Sequence, residues 1–152
     1  MALQHSDPPA HSPLRAPLRV GPAALPGQET LTYFAAAFFT LALLTDWAYV
    51  QTMILTWQDF SSWLLLAGLV AGGVAVLLWL VGLALYRQRP VWIIAILNAL
   101  VLAAAFLNSL VHAGDGWTAI VPWGIGLSLV TCVLMLASAV LRRQAFHRIH
   151  AA

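Results

Sequence analysis

Three polar side chains of this 152-residue chain stand inside apolar runs with types suited to holding or passing a proton: Asp46, Asn108 and His112. A carboxyl gains or loses a proton, an imidazole does so through two distinct ring nitrogens, and a carboxamide bridges neighbours by offering both a donor and an acceptor. An ionised carboxylate in hydrocarbon costs at least about 2.5 kcal/mol, so Asp46 must face other protein, be paired or be neutral. Read as structure, such a trio is a hydrogen-bonded knot that fixes helix packing. Read as function, it is a proton relay or a ligand site.

Other chemistry finds little support. No paired carboxylates, Ser–His–Asp set, HExxH or Gly-rich phosphate loop occurs, so no catalytic residue and no metal site is assigned. The single Cys132 offers no disulfide and no thiolate cluster. Of five histidines only His112 stands in an apolar run; His5 and His11 lie in the N-terminal tail, and His147 and His150 follow the last apolar run. A bis-histidine haem therefore has no pair, and a haem on His112 with Met53 or Met135 is the one cofactor reading left open. Core filling explains those methionines more cheaply.

The elements that must position the trio are membrane spans. The chain is 62% hydrophobic and 8% charged, against about 25% charged in an ordinary soluble domain. All seven basic residues are arginines beside apolar runs, which a membrane surface explains without any nucleic-acid partner. Residues 1–29 hold Pro8, Pro9, Pro13, Pro17, Pro22 and Pro26 and read as a disordered tail. Because the first apolar run begins only near Thr30 and is too long for a signal-peptide core, it reads as a retained span.

Four spans are expected, at about 30–54, 62–86, 90–112 and 122–141. Thr56 to Ser62 reads as a short interfacial loop in which Ser61 or Ser62 caps the second span. On that span Gly68, Gly72, Ala75 and Gly82 share one face, a small-residue stripe for close helix packing, within the bundle or in a dimer. Pro90 suits the first turn of the third span, whose polar face carries Asn98, Asn108, Ser109 and His112 around Ala105. The loop from His112 to Gly124 contains a short interfacial piece or an early start of span four near Ala119, and residues 142–152 form a basic tail along the membrane surface.

Arg15 and Arg19, then Arg87 and Arg89, then Arg142, Arg143 and Arg148 all fall on one side of a four-span chain, while the other two loops carry Asp59 and Asp115 and no basic residue. The positive-inside rule makes both termini cytoplasmic. Trp57, Trp63, Trp117 and Trp123 then form an outer aromatic belt, with Tyr33, Tyr86 and Trp92 at the inner one. Asp46 comes to lie roughly 12 Å below the outer end of span one, level with the Asn108–His112 end of span three.

The run FAAAFFTLALLTDWAY, the pattern W-x-x-F-S-x-W-L-L-x-A-G-L from Trp57 to Leu69, and N-S-L-V-H followed by D-G-W resemble a bacterial four-helix membrane family of unknown function. The resemblance covers roughly residues 30–141. Many members carry a His-Pro pair at the start of span one and more histidines in the bundle, and some are fused to Rieske iron–sulfur domains, which implies a redox setting. Here span one starts Glu29-Thr30-Leu31, and neither the His-Pro pair nor Rieske ligands occur.

The expected fold is all-α: an integral membrane four-helix bundle with antiparallel up-down topology in a bacterial inner membrane. The expected function is a non-catalytic subunit or anchor of a larger membrane assembly, with the bilayer and protein partners, or a second copy, around it. The alternatives are a small proton-coupled carrier using Asp46, and a haem or quinone site near His112.

Overall fold

The structure is a computed structural model that describes residues 25–86, 90–114 and 120–150, without the side chains of 120 and 146–150. It is all-helical: α1 (Gln28–Thr52), α2 (Leu55–Tyr86), α3 (Trp92–Ala113) and α4 (Ile125–His150), the last entered through a kinked turn at Ile120–Gly124. All four helices are long and apolar enough to cross a membrane. Around the bundle α1 packs on α2 and α4, and α3 packs on α4 and α2.

Each helix buries one stripe at alternating three- and four-residue steps, the geometry of a single helical face. On α1 the stripe is Ala35, Phe39, Ala42, Asp46 and Tyr49; on α3 it runs through Val101, Ala105, Asn108 and His112. Small residues such as Ala35, Ala42 and Ala105 alternate in these stripes with polar ones, since lipid supplies no hydrophobic drive between helices and close backbone approach and polar contacts have to hold them. The outward faces carry exposed large apolar side chains such as Leu44, Val70, Leu77, Ile96 and Leu136.

The stripe of α2 contains Gly68, Gly72, Ala75 and Gly82, all buried against the rest of the bundle. A Cβ on Gly68 would stand 2.5 Å from the ring of Phe39, and one on Gly72 would stand 2.7 Å from Leu102 and 3.6 Å from Ala35. The Gly68–Gly72 spacing thus serves contacts inside this chain.

Two local expectations need correction. Residues 56–62 are helical, not a loop: α1 ends at Thr52 and α2 begins at Leu55, so only Met53 and Ile54 join them. Met53 takes the left-handed conformation, φ 55°, and its N–H bonds Tyr49 O at 2.7 Å, which closes α1 so tightly that α2 starts within two residues. Ser61 is accordingly an interior helix residue and caps nothing. Helix α4 runs on through residues 142–150, where no glycine or proline interrupts it.

Smaller shifts affect the edges. Helix α1 starts at Gln28, ahead of the expected Thr30, and Pro90 precedes the cap Val91 instead of entering the first turn of α3. The proline-rich tail to residue 24, Arg87, Arg89, Asp115, Trp117, and the side chains of His147, Arg148 and His150 lie outside the described residues.

Candidate functional site

A hydroxyl on an apolar helix usually bonds the carbonyl one turn back on its own helix. Thr32, Thr40, Thr52, Ser62 and Thr131 all do so, at 2.7–3.0 Å. Three buried serines behave differently, reaching across to another helix, and two of them, Ser61 and Ser128, end on Asp46.

Ser61 Oγ of α2 donates to Asp46 Oδ1 at 2.5 Å, and Ser128 Oγ of α4 donates to Oδ2 at 2.5 Å. From α3, His112 Nε2 lies 2.8 Å from Oδ1. Asp46 is 0% exposed, and so are Ser61 and Asn108. One carboxyl of α1 is therefore the common partner of the other three helices, each of which contributes one side chain.

The partners are themselves held. Asn108 Nδ2 donates to Ser128 Oγ at 2.7 Å, and the main-chain carbonyl of Asn108 lies 3.0 Å from His112 Nδ1. A carbonyl accepts only, so Nδ1 carries a hydrogen, which fixes the ring's orientation and leaves Nε2 facing Asp46. Asn108 does not touch Asp46; it acts on it through Ser128 and His112. Its Oδ1 is buried with no hydrogen-bond partner. Ser61 Oγ also has the Ala42 carbonyl within 3.4 Å.

The sequence-derived trio of Asp46, Asn108 and His112 thus lies in one place, but two of its five members were not in that trio. Ser61 was hidden by the polar run TWQDFSS, which reads as a loop, and Ser128 by its ordinary look in a membrane helix. A signal was present for the first: Ser61, Gly68, Ala75 and Gly82 stand at seven-residue steps, so extending the small-residue stripe one heptad back reaches Ser61.

A second polar contact ties α3 to α4, where Ser138 Oγ donates to Asn98 Oδ1 at 2.8 Å. Cys132 Sγ lies 3.8 Å from the Phe39 carbonyl. Among the described residues no group of three His, Cys, Asp or Glu side chains converges as metal ligands would. Two apolar surface recesses, one walled by Leu31, Phe34, Phe38 and Trp63 and the other by Val91, Ile94, Leu141 and Ala145, include no member of the Asp46 cluster.

Chemically, the arrangement can hold protons and tie helices together, and it leaves no nucleophile or ring nitrogen free. No curated protein and no solved structure matches the chain. The family model for "Predicted membrane protein (DUF2231)" matches residues 30–150, most of the chain; four apolar helices joined over that same stretch make it a member of this membrane protein family.

Proposed function

We propose that the chain is a non-catalytic integral membrane subunit, a four-helix body whose shape is locked by Asp46 and which packs into a larger assembly of a bacterial inner membrane. One observation carries this reading: both oxygens of Asp46 are already occupied by side chains from α2, α3 and α4. A group spent on three helices at once is a pin, and in lipid such polar contacts are what holds helices in register. Gly68, Gly72, Ala75 and Gly82 act with it as packing positions, setting how near α2 approaches its neighbours.

The up-down antiparallel topology with both termini cytoplasmic belongs to the same proposal. Its support is that Asp46 and His112 stand within the last two turns of α1 and α3, whereas Ser61 and Ser128 stand within the first two turns of α2 and α4. Side chains from those positions meet only if successive helices alternate in direction. The arginine distribution then sets the side. The redox or respiratory setting rests on the resemblance to Rieske-fused relatives alone.

The carrier and haem alternatives are less well supported. Both ring nitrogens of His112 are engaged, so ligating haem iron means giving up Asp46 or the Asn108 carbonyl. A carrier has to free Asp46 for its cargo, and both carboxyl oxygens are already bonded by Ser61, His112 and Ser128. Extraction of the native membrane in mild detergent, followed by mass spectrometry of what co-purifies with the tagged chain, tests the proposal. A stoichiometric membrane partner is the expected result, and a chain that elutes alone, without partners, overturns it.

A further inference from the structure

The hydrogen-bond directions around Asp46 determine how many protons the cluster accommodates. His112 Nδ1 must carry a hydrogen, because its partner is the Asn108 carbonyl. At 2.8 Å, Nε2 and Asp46 Oδ1 need one hydrogen between them, whichever atom holds it. With none there, two lone pairs would face each other in a site closed to water. With one, the pair is neutral as a whole, either a carboxylate beside an imidazolium or a carboxylic acid beside an imidazole.

The same heavy atoms also accept one proton more. If Oδ1 is protonated while Nε2 keeps its hydrogen, the new O–H points to Ser61 Oγ, 2.5 Å away. The Ser61 hydroxyl then turns from Asp46 to the Ala42 carbonyl, 3.4 Å away. His112 Nε2 still donates to Oδ1, Ser128 still donates to Oδ2, and Asn108 Nδ2 still donates to Ser128. No contact loses its hydrogen, and the orphaned Asn108 Oδ1 stands as a further spare acceptor.

Other titratable groups stand outside the hydrogen-bonded cluster. Facing the cluster, α1 brings Asp46 and one turn on the phenol of Tyr49, α3 brings His112, α2 brings only the neutral Ser61, and α4 brings Ser128 with the thiol of Cys132 one turn beyond. Asp59 is exposed at the start of α2, Glu29 lies in the first turn of α1, and Arg142 and Arg143 lie toward the end of α4.

We infer that the Asp46–His112 pair is a proton-binding site that always retains one proton and takes up a second from water on acidification, with Ser61 as the acceptor that makes room for it. The step is a transfer from hydronium to Oδ1, leaving water behind and raising the charge of the cluster from 0 to +1. The proton is held and not conducted. This is independent of whether the chain docks to a partner, since it concerns the isolated bundle.

The test uses the full chain in lipid nanodiscs, with D7N, D59N and D115N leaving Asp46 the sole aspartate and H5Q, H11Q, H147Q and H150Q leaving His112 the sole histidine. Side-chain 13C-labelled aspartate is followed by infrared spectroscopy and 15N-labelled histidine by NMR. At acid pH an isotope-shifted carboxylic acid band is expected together with hydrogen on both His112 nitrogens, one proton per chain more than at neutral pH, with the helical signal unchanged. If no such band appears at any pH at which the bundle stays folded, the second site does not exist. If the band rises as His112 Nε2 loses its hydrogen, a single proton has only moved between the two, and the inference fails. Should the seven-fold variant not fold, the wild-type chain with the same labels, with D46N subtracted for the carboxyl band and H112Q for the ring signals, gives the same discrimination.

Discussion

His112 Nε2 stands 2.8 Å from Asp46 Oδ1 with both side chains closed to solvent, and the two residues are 66 positions apart in the chain. This contact links the hairpin α1–α2 to the hairpin α3–α4. Its neighbours do the same work, since Ser128 bridges from α4 and Ser61 closes the first hairpin on the same carboxyl. Asp46 is therefore where the two halves of the bundle meet.

Replacing Asp46 with Ala strands three donors at once. An ordinary interhelical hydrogen bond in a membrane is worth about 0.6 kcal/mol, but removing one partner of a buried charged pair costs roughly 3–5 kcal/mol because the other is left unmatched. The second effect should win, so D46A is expected to destabilise the bundle by about 3 kcal/mol or more. Asp46→Asn, which keeps the shape and one acceptor, should cost roughly 1–3 kcal/mol. Unfolding titrations in mixed micelles would read both, and a D46A variant as stable as wild type would remove the pin from the account.

How far such a site can be read from sequence is shown by its members. Asp46 and His112 were visible because each is an ionisable group in an apolar run, and counting residues from the span ends brought them to one depth. Ser61 was not, because hydropathy treats T-W-Q-D-F-S-S as water-facing, whereas a helix only needs its polar groups bonded. The direction of each bond was also beyond the sequence. That Asn108 reaches Ser128 and not Asp46 depends on helix rotation, which a stripe of residues constrains only to within part of a turn.

The glycines of α2 should respond oppositely to the same change. At Gly68 an added methyl meets the Phe39 ring, which is itself buried and has nowhere to go, and overpacking of that kind costs roughly 1–3 kcal/mol. At Gly73 the space is open, and alanine there should gain up to about 1 kcal/mol from helix propensity. G68A and G73A compared by thermal unfolding in detergent give the answer; equal shifts would mean that α2 does not pack on α1 through Gly68.

The two interhelical serines of α4 should differ in weight. Ser138 is buried but makes a neutral bond to half-buried Asn98, so Ser138→Ala should cost about 0.6 kcal/mol. Ser128 donates to a carboxyl and receives from Asn108 in the same buried spot, and losing a charge-assisted bond of that kind costs about 1.5–3 kcal/mol. A double-mutant cycle of S128A with D46N should show coupling of at least about 0.5 kcal/mol, while S138A with D46N should be additive. Coupling of the same size for both serines would show that the Asp46 cluster is not the separate unit the distances describe.

Orientation gives the last prediction, and it follows from two described surface positions at opposite ends of the bundle. Asp59 is exposed where α2 begins, and Gln144 is exposed near the end of α4 beside Arg142 and Arg143. If the arginines mark the cytoplasmic side, a cysteine at Asp59 should be outside and one at Gln144 inside. With Cys132→Ser as background, a membrane-impermeant maleimide applied to intact spheroplasts should modify D59C at once and Q144C only after permeabilisation. Labelling of Q144C in sealed spheroplasts would invert the bundle, and with it the side from which a proton reaches Asp46 and His112, because both stand in the turns nearest the Asp59 end.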